Sequence, residues 1–309
     1  MKEHVSVLLN ESIEGLDIKS DGIYVDATLG RAGHSYHILN KLSNLGKLYC
    51  FDKDIEAVET SRKLLSTLSS PFEIIHADYK FIVTELDKRD VNSVDGILFD
   101  LGVSSPQLDN GERGFSYKYD ARLDMRMNQE DELDAYTVVN TYKEEDLRNI
   151  LFNYGEEKFA RNIARNIVLR RKEKAIETTF ELVDIIKSSM PGSAMRDGHP
   201  AKRTFQAIRI EVNDELNGIK KALTDSLKLL RSGGRIAVIT FHSLEDKIVK
   251  EIFKNAVEGE RWSRNMPINL ESKESEFRLI TKKPILPSEE ELKVNNRSHS
   301  AKLRIIEKI

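Results

Sequence analysis

The sequence has almost no cysteine and no long apolar segment. A single cysteine, Cys50, occurs in 309 residues, which excludes a disulfide-stabilised scaffold and a zinc site built from several cysteines. No apolar run approaches the length of about 20 residues that a membrane-spanning helix needs. The segment from Met1 to Asn10 has no sustained apolar stretch before charged residues return. These absences predict a soluble, cytoplasmic protein with no membrane partner.

An excess of charge of one sign is also missing. The chain has 48 basic and 51 acidic residues and a formal net charge of −3. Any basic surface for nucleic acid must therefore be local. The length allows one large domain or two modest ones, each with its own core.

The most informative stretch that is present is a glycine-containing loop directly after an apolar run. Ile23-Tyr-Val25 is followed by Asp26-Ala-Thr-Leu-Gly30-Arg-Ala-Gly33-His34, a pattern typical of a strand, a loop and the start of a helix. A second strand-like run ends in Asp52, at the place where nucleotide-binding α/β folds have a carboxylate for ribose hydroxyls. The pair predicts a ligand that carries an adenosine, although two glycines at a strand end are also common in ordinary turns.

The loop does not match two other nucleotide-binding signatures. It lacks the full G-x-G-x-x-G spacing of dehydrogenases and the G-K-[ST] sequence of nucleoside triphosphate sites. A nicotinamide cofactor is therefore less well supported than another adenosine ligand such as S-adenosylmethionine. Tight binding of a nicotinamide dinucleotide would restore the dehydrogenase alternative.

Strand and helix patterns alternate through the first hundred residues, which predicts a parallel sheet with crossover helices. The helical stretches between strands include 55–68. The predicted strands are Ile23–Val25, Leu48–Phe51, Phe72–His76 and Gly96–Phe99. Each strand is followed by an acidic residue: Asp26, Asp52, Asp78 (next to Tyr79) and Asp100. Because ligands of open α/β sheets bind at the carboxyl edge, these side chains predict a site there.

The alternation stops between residues 112 and 200, where the patterns are helical. It resumes with a helix around 205–230, a strand at 235–240 and two late strands at 277–281 and 301–307. This order predicts an α/β domain formed by 1–110 and 201–309, with an all-helical insertion at 111–200. Within the insertion, one stripe holds four cations, which are either a solvated helix face or phosphate contacts: Lys158, Arg161, Arg165 and Lys172.

Several segments together resemble the bacterial 16S ribosomal RNA (cytosine(1402)-N(4))-methyltransferase family. They span nearly the whole chain and are specific as a set, in order and at family-like spacing. They are 4–11, Thr28-Leu-Gly-Arg-Ala-Gly-His-Ser35, Asp100-Leu-Gly-Val-Ser-Ser-Pro-Gln-Leu-Asp109, Arg113-Gly-Phe-Ser116, Leu123-Asp-Met-Arg-Met127, Tyr154-Gly-Glu-Glu157, 200–213, Thr240-Phe-His-Ser-Leu-Glu-Asp246 and Ser300-Ala-Lys-Leu-Arg304. The family often has glycine where Ala32 stands, Gly-Pro at 121–122 and arginine at His299. We expect Ala32 to be tolerated if its φ is negative.

The resemblance implies a class I Rossmann-like methyltransferase sheet with an inserted helical domain for RNA recognition. It also implies S-adenosyl-L-methionine as cofactor, no metal, and 16S ribosomal RNA of the small ribosomal subunit as partner, with a homodimer left open. The cofactor residues carried over are Ala32, Gly33 and His34 at the methionine end, Asp52 at the ribose and Tyr79 near the adenine. Asp100 and Gln107 would complete the pocket.

Two residues are candidates for a catalytic role. Asp100, or a carbonyl group in 101–105, is expected to accept a hydrogen bond from the target amine, and the alternative is that Asp100 serves only the cofactor. His242 would bind the cytosine edge, or would simply lie beside a helix capping box formed by Ser243 and Asp246.

Contacts to RNA have weaker candidates. Aromatic side chains that could stack on a base, or merely pack in a core, are Phe115, Tyr117 and Tyr119. Phosphate contacts are expected from the four-cation stripe together with Arg196, Lys202 and Arg203. The alternatives are another amino-methyltransferase and a non-catalytic ribosome-assembly factor.

Overall fold

The structure is a computed structural model that describes residues 6–195, 198–259 and 275–309. The chain divides into two compact units: one comprises residues up to Gly102 and from Leu216 onwards, and the other is Val103–Glu215. The second unit is wider at both ends than the predicted insertion at 111–200. Val103 and Leu108 pack against its hydrophobic core, and Phe205, Ile208 and Val212 are part of that core.

The first unit contains a seven-stranded sheet. Its strands are β1 (Ile23–Asp26), β2 (Lys47–Asp52), β3 (Phe72–His76), β4 (Val94–Asp100), β5 (Leu230–Thr240), β6 (Phe277–Leu279) and β7 (Lys302–Lys308). Its helices are α1 (Leu9–Gly15), α2 (Gly33–Lys41), α3 (Ile55–Leu65), α4 (Ile82–Asp87), α11 (Glu215–Leu229), α12 (Ser243–Glu258) and α13 (Glu289–Val294). Each strand predicted from the sequence is present.

The strand order is β3-β2-β1-β4-β5-β7-β6. The five strands from β3 to β5 are parallel, while β7 runs antiparallel to both β5 and β6. Apolar side chains alternate between two separate clusters: Val25 and Ile97 belong to one, and Tyr24 and Leu98 to the other. Both faces of the sheet are therefore covered, which is the arrangement of doubly wound Rossmann-like folds.

The second unit is helical. It comprises α5 (Ser105–Asp109), α6 (Ala135–Thr141), α7 (Glu144–Gly155), α8 (Ala160–Arg170), α9 (Thr179–Ser188) and α10 (Lys202–Val212). Helices α7 and α10 approach closely at Gly155, where an added Cβ would lie 2.6 Å from the backbone oxygen of Arg203 on α10. Glycine is therefore needed at that position because the two helix backbones nearly touch.

The helix expected around 205–230 is two helices, and the prediction of a single one is wrong. Asp214 lies between them with a φ of 49°, which a right-handed helix does not allow. Asn213 next to it is buried, and its side-chain amide donates to the carbonyl of Met125 while its oxygen accepts from the N–H of Met127. A contact with a distant loop thus ends α10, and no local pattern indicates it.

Within the described residues, no helix is both long enough and apolar enough to cross a membrane.

Candidate active site

The carboxyl ends of β2, β1 and β4 bring three acidic side chains to one edge of the sheet. The strands are neighbours, and each ends in an aspartate: Asp52, Asp26 and Asp100. The next strand, β5, ends in Thr240 and leads to His242. Parallel pairing places strand ends together, so the structure gathers the residues that the sequence predicted for this edge.

The glycine loop after β1 is tied to both neighbouring strands. The N–H of Ala27 donates to the carbonyl of Leu98 at 2.9 Å, and the N–H of Leu29 donates to the carbonyl of Phe51 at 2.8 Å. The N–H of Gly30 donates to the carboxylate of Asp52 at 2.8 Å. These bonds fix the loop above the strand ends before any ligand arrives.

The loop ends in a backbone conformation that alanine rarely adopts. Ala32 is fully buried, and its φ is 59°, so the condition under which this alanine was expected to be tolerated, a negative φ, is not met. A left-handed conformation costs about 1–2 kcal/mol for a residue with a Cβ, which explains why glycine suits this position. The bonds of the loop to both strands enforce the turn in spite of that cost.

Helix α2 starts directly after Ala32 and faces the loop with its N-terminus. The methyl side chain of Ala32 cannot accept hydrogen bonds, and no side-chain cap is formed at this residue. Gly33 allows close packing here, because an added Cβ would lie 1.9 Å from Oγ of Ser6. An uncapped helix N-terminus is a good site for a carboxylate or another anion.

Asp26 stabilises the glycine loop through hydrogen bonds within the protein. Its side chain is buried, accepts from Oγ of Ser35 at 2.6 Å and accepts from the N–H of Thr28 at 3.1 Å. Burial raises the pKa of the Asp26 carboxyl, while these hydrogen bonds act in the opposite direction. The residue is therefore a structural part of the loop.

Asp52 keeps half of its hydrogen-bonding capacity. One oxygen accepts from the N–H of Gly30 and the other accepts from the N–H of Asp54 at 2.9 Å. An ionised carboxylate has about four acceptor sites, so each oxygen retains one for a ligand. Burial raises the pKa of Asp52 to about 6.

Asp100 carries the least satisfied carboxylate of the three. Among the described residues its Oδ1 is buried without a hydrogen-bond partner, while its Oδ2 lies 3.6 Å from Nδ1 of His34. Its backbone N–H donates to Oγ1 of Thr28 at 2.6 Å, which fixes the main chain. Burial first, and then the charges of Asp26 and Glu245, raise the pKa of Asp100 well above its ordinary value.

His34 is oriented by a bond on its other side. Its Nε2 lies 3.1 Å from the carbonyl oxygen of Val7, and only a protonated nitrogen can donate to a carbonyl. This fixes the proton on Nε2 and turns Nδ1 towards Asp100. His34 is buried, and its imidazole lines the site next to the carboxylate of Asp100.

Tyr79 lies at the end of β3 in a short 3-10 turn, Tyr79–Phe81. Its ring packs edge-on against Phe99 with 5.8 Å between ring centroids. An added Cβ at Gly218 would lie 3.5 Å from the Tyr79 ring. The half-buried aromatic ring is thus fixed in place at the sheet edge, and its contact with adenine stays a prediction.

His242 serves as the N-cap of α12. Its Nδ1 accepts from the N–H of Glu245 at 3.4 Å, and Glu245 accepts from the N–H groups of Phe241 and His242. The predicted capping box of Ser243 and Asp246 is therefore wrong by one residue. Asp246 is instead bound by Arg304 at 2.7 Å and Lys302 at 3.1 Å, a long-range ion pair that outweighs the local pattern.

Glu245, Thr28 and Ser35 are site residues that the sequence reasoning missed. Glu245 is fully buried, and its charge acts on Asp100. Glu245 follows His242 by three residues, which is the spacing of a capping box. This spacing is the sequence signal that could have indicated Glu245. Nothing local indicates that Thr28 contacts Asp100.

Gln107 belongs to the second unit. It is buried, and its side-chain oxygen accepts from the N–H of Ser104 at 3.0 Å within the capping box of α5. A cofactor contact by Gln107 stays a prediction.

The candidates for RNA contacts differ in exposure. Phe115 is 5% exposed and belongs to the core of the second unit, so it cannot stack on a base without unfolding. Tyr117 stacks on His199 with 4.1 Å between centroids, and Tyr119 is 49% exposed. Arg203 is exposed, and its guanidinium donates to the carbonyl of Glu156 at 2.9 Å. Lys202 is exposed, while Arg196 lies outside the described residues.

The sheet order, the glycine loop and the acidic strand ends define this protein as a class I Rossmann-like methyltransferase. This confirms the predicted fold class. The chain belongs to the MraW methylase family, which matches it over residues 1–309. This membership confirms the resemblance that the motifs indicated. It also confirms the predicted methyl donor, S-adenosyl-L-methionine.

Relatives match the chain from end to end. The ribosomal RNA small subunit methyltransferase H of Clostridioides difficile (strain 630) is 54% identical over 307 residues, covering 99% of both chains. The protein of the same name from Clostridium botulinum (strain Kyoto / Type A2) is 53% identical over 307 residues with the same coverage. A solved rRNA methylase from Streptococcus thermophilus gives a TM-score of 0.42 at 13% identity, covering 97% of this chain and 93% of that chain.

Proposed function

We propose that this chain transfers a methyl group from S-adenosyl-L-methionine to the exocyclic amino nitrogen of cytosine 1402 in 16S ribosomal RNA of the small subunit. The names of the two relatives described above support a small-subunit ribosomal RNA substrate. The motifs of the sequence support the cytosine amino group as the acceptor. A homodimer stays a prediction, which light scattering of the purified protein tests.

The residues at the sheet edge fit the donor. The uncapped start of α2, at Ala32, Gly33 and His34, suits the carboxylate of the methionine moiety. The two remaining acceptor sites of Asp52 suit the ribose hydroxyls, and the ring of Tyr79 suits the adenine. We extend the pocket to Gln107 on the sequence resemblance alone. The bound donor would supply a methyl group on a positively charged sulfur.

The transfer itself needs an activated amine. The nitrogen lone pair of the cytosine amino group is delocalised into the ring, so it attacks the methyl carbon only when an acceptor binds one of its N–H groups. As the C–N bond forms, the C–S bond breaks and its electron pair stays on sulfur, leaving S-adenosylhomocysteine. The methylated nitrogen then loses one proton, which restores a neutral base.

The observation that carries this proposal is the unpartnered Oδ1 of Asp100. A buried carboxylate oxygen without a hydrogen bond is costly, and an amine N–H is the type of donor that would satisfy it. The raised pKa of Asp100 makes its carboxylate a stronger base than an ordinary aspartate. Asp100 would thus accept the hydrogen bond and then the proton. A carbonyl group in 101–105 is the alternative acceptor.

The variant Asp100→Asn tests this role, because asparagine keeps the shape and removes the base. We expect normal binding of S-adenosyl-L-methionine by calorimetry and loss of methyl transfer under saturating donor. If donor affinity falls instead while transfer at saturation is normal, Asp100 serves only the cofactor. Asp90→Asn is the matched control, since it changes an exposed carboxyl in a turn.

His242 is proposed to contact the edge of the flipped cytosine. Its side chain is 12% exposed, and its Nε2 lies 3.1 Å from Oε1 of Glu245. Among the described residues this nitrogen has no hydrogen-bond partner, so an acceptor on the base edge would satisfy it. His242→Asn separates the two roles, because asparagine is a good N-cap but has no imidazole. We expect unchanged thermal stability with a lower kcat/KM for RNA. Full activity of this variant would limit His242 to capping.

The methylated atom is tested by mapping. Small subunits that lack the modification are incubated with the protein and a tritiated methyl donor, and the labelled nucleotide is identified by digestion and mass spectrometry. We expect label on the amino nitrogen of cytosine 1402. Label at another nucleotide would make the protein a different amino-methyltransferase, and absence of label from every subunit preparation would favour an assembly factor without turnover.

A further inference from the structure

Six cations lie on or beside α8, between Lys158 and Lys172, and the structure separates them into two groups. Two of them have partners within the protein. Arg170 lies 4.0 Å from a carboxylate oxygen of Glu173. Arg171 donates to the backbone carbonyls of Val139 at 2.7 Å and of Tyr142 at 2.5 Å. These two arginines have structural explanations.

The other four cations are exposed, and among the described residues none of them has an ion-pair partner. We call them the α8 cationic face: Lys158, Arg161, Arg165 and Lys172. Arg161 and Arg165 lie within α8, about 40° apart around the helix axis, while Lys158 precedes the helix and Lys172 follows it. The opposite side of α8 is anchored in the core, because Ile163, Ala164 and Ile167 are fully buried.

This arrangement does not help the helix by itself. Arg161 and Arg165 are four residues apart, and like charges at that spacing destabilise a helix. An ordinary solvated face usually mixes charges of both signs, as at the end of α8, where Arg170 lies near Glu173 of the following turn. The unpaired cations are therefore better explained by a polyanion that contacts them.

We propose that the α8 cationic face binds the phosphate backbone of the ribosomal RNA substrate. This inference rests on the proposed function, since it assigns a surface to the RNA named there. Arginine binds phosphate through two parallel N–H donors, and two of the four residues are arginines. The protein as a whole has a net charge of −3, so long-range attraction to RNA depends on such a local surface.

An acidic protein segment is the other polyanion that could contact this face. RNA is favoured because the four cations, two within α8 and one beyond each of its ends, match a continuous run of charges. A single strand supplies one negative charge at every nucleotide, whatever its sequence. The four residues of the α8 cationic face are lysines and arginines, which suit backbone binding without recognition of particular bases.

The test uses two variants of the full-length protein with the same change in net charge. The first is Arg161→Glu with Arg165→Glu. The control is Arg148→Glu with Arg170→Glu, which reverses two exposed arginines that each have a partner at i±3 in the same unit. Binding to a transcript of the 16S segment around the target cytosine is measured by fluorescence anisotropy at several salt concentrations, with S-adenosylhomocysteine present.

The expected loss follows from counterion release. Each phosphate contact on single-stranded RNA contributes about 0.7 to the slope of log K against log salt. Removing two contacts should lower the slope by about 1.4. Extrapolated from 1 M salt, this corresponds to roughly 25-fold weaker binding at 0.1 M. The control variant should bind almost as the parent does. Circular dichroism and calorimetric binding of S-adenosylhomocysteine verify that both variants are folded.

Three results would overturn the proposal. Unchanged affinity and slope in the first variant would leave α8 as a solvated face. An equal loss in both variants would show a general effect of net charge. Unchanged binding to the transcript with weaker binding to whole small subunits would assign the face to a ribosomal protein. Because the measurement is equilibrium binding, it is independent of which nucleotide atom is methylated.

Discussion

The carboxyl of Asp52 should make the ligand-free protein less stable as the pH rises. Burial raises its pKa from the ordinary value of 3.8 to about 6. The folded protein therefore holds this proton more tightly than the unfolded chain does. A group of this kind contributes stability that is fully present below the unfolded pKa and is lost as the pH rises through the folded pKa.

The size of this effect can be worked out from the two values. At 1.36 kcal/mol for each pH unit, the difference between 3.8 and about 6 corresponds to at most about 3 kcal/mol. Most of it is lost between pH 4 and pH 7. The variant Asp52→Asn lacks this titrating group. We therefore expect its free energy of unfolding, minus that of the parent, to increase by about 2 kcal/mol from pH 4 to pH 7. The comparison with the parent removes the contributions of all other titrating groups.

The assay must report on the unit that contains Asp52, because a chain with two compact units need not unfold in one step. Hydrogen exchange of the amides of β2, measured at pH 4, 5, 6 and 7 after correction for intrinsic exchange, gives the local free energy of opening. Urea unfolding followed by circular dichroism provides a second measurement.

Asp246→Asn is the matched control. The cations Arg304 and Lys302 lower the pKa of Asp246 despite its burial, so its stabilisation is lost only as the pH falls below about 3.8. The difference in the free energy of unfolding between Asp246→Asn and the parent should therefore stay nearly constant between pH 4 and pH 7. If the difference in the free energy of unfolding between Asp52→Asn and the parent is also constant over this interval, the inference that burial raises the pKa of Asp52 is refuted.

Three further predictions follow from local geometry. Gly155→Ala should lower the melting temperature of the second unit, because the new Cβ would lie 2.6 Å from a backbone oxygen and overpacking costs about 1–3 kcal/mol; calorimetry should show no such loss for Gly192→Ala, where the Cβ meets open space. Ala32→Val should reduce donor binding in titration calorimetry, because a buried β-branched residue tolerates a φ of 59° poorly, and full affinity would contradict this. The single-turnover methyl-transfer rate should rise with pH as the carboxyl of Asp100, whose pKa is raised, ionises; a flat profile would argue against its role as the base.

Local sequence patterns determined the elements that carry the site. The apolar runs before Asp26, Asp52 and Asp100 are strands, and the glycine loop is followed by α2. These features are predictable because alternation of strands and helices, glycine turns and acidic strand ends are properties of neighbouring residues. The family motifs extended this prediction to the class of enzyme and its donor.

Tertiary structure decided which groups have partners. The left-handed turn at Ala32 depends on bonds from the loop to two other strands, and the break after α10 depends on Asn213 contacting a loop far away in sequence. His242 and Glu245 form the capping box of α12, while Asp246 is bound by the distant cations Arg304 and Lys302. Contacts of this kind require residues that are distant in the chain to meet, so no periodicity predicts them. The unsatisfied oxygen of Asp100 and the unpaired cations of α8 are therefore visible only in the folded protein.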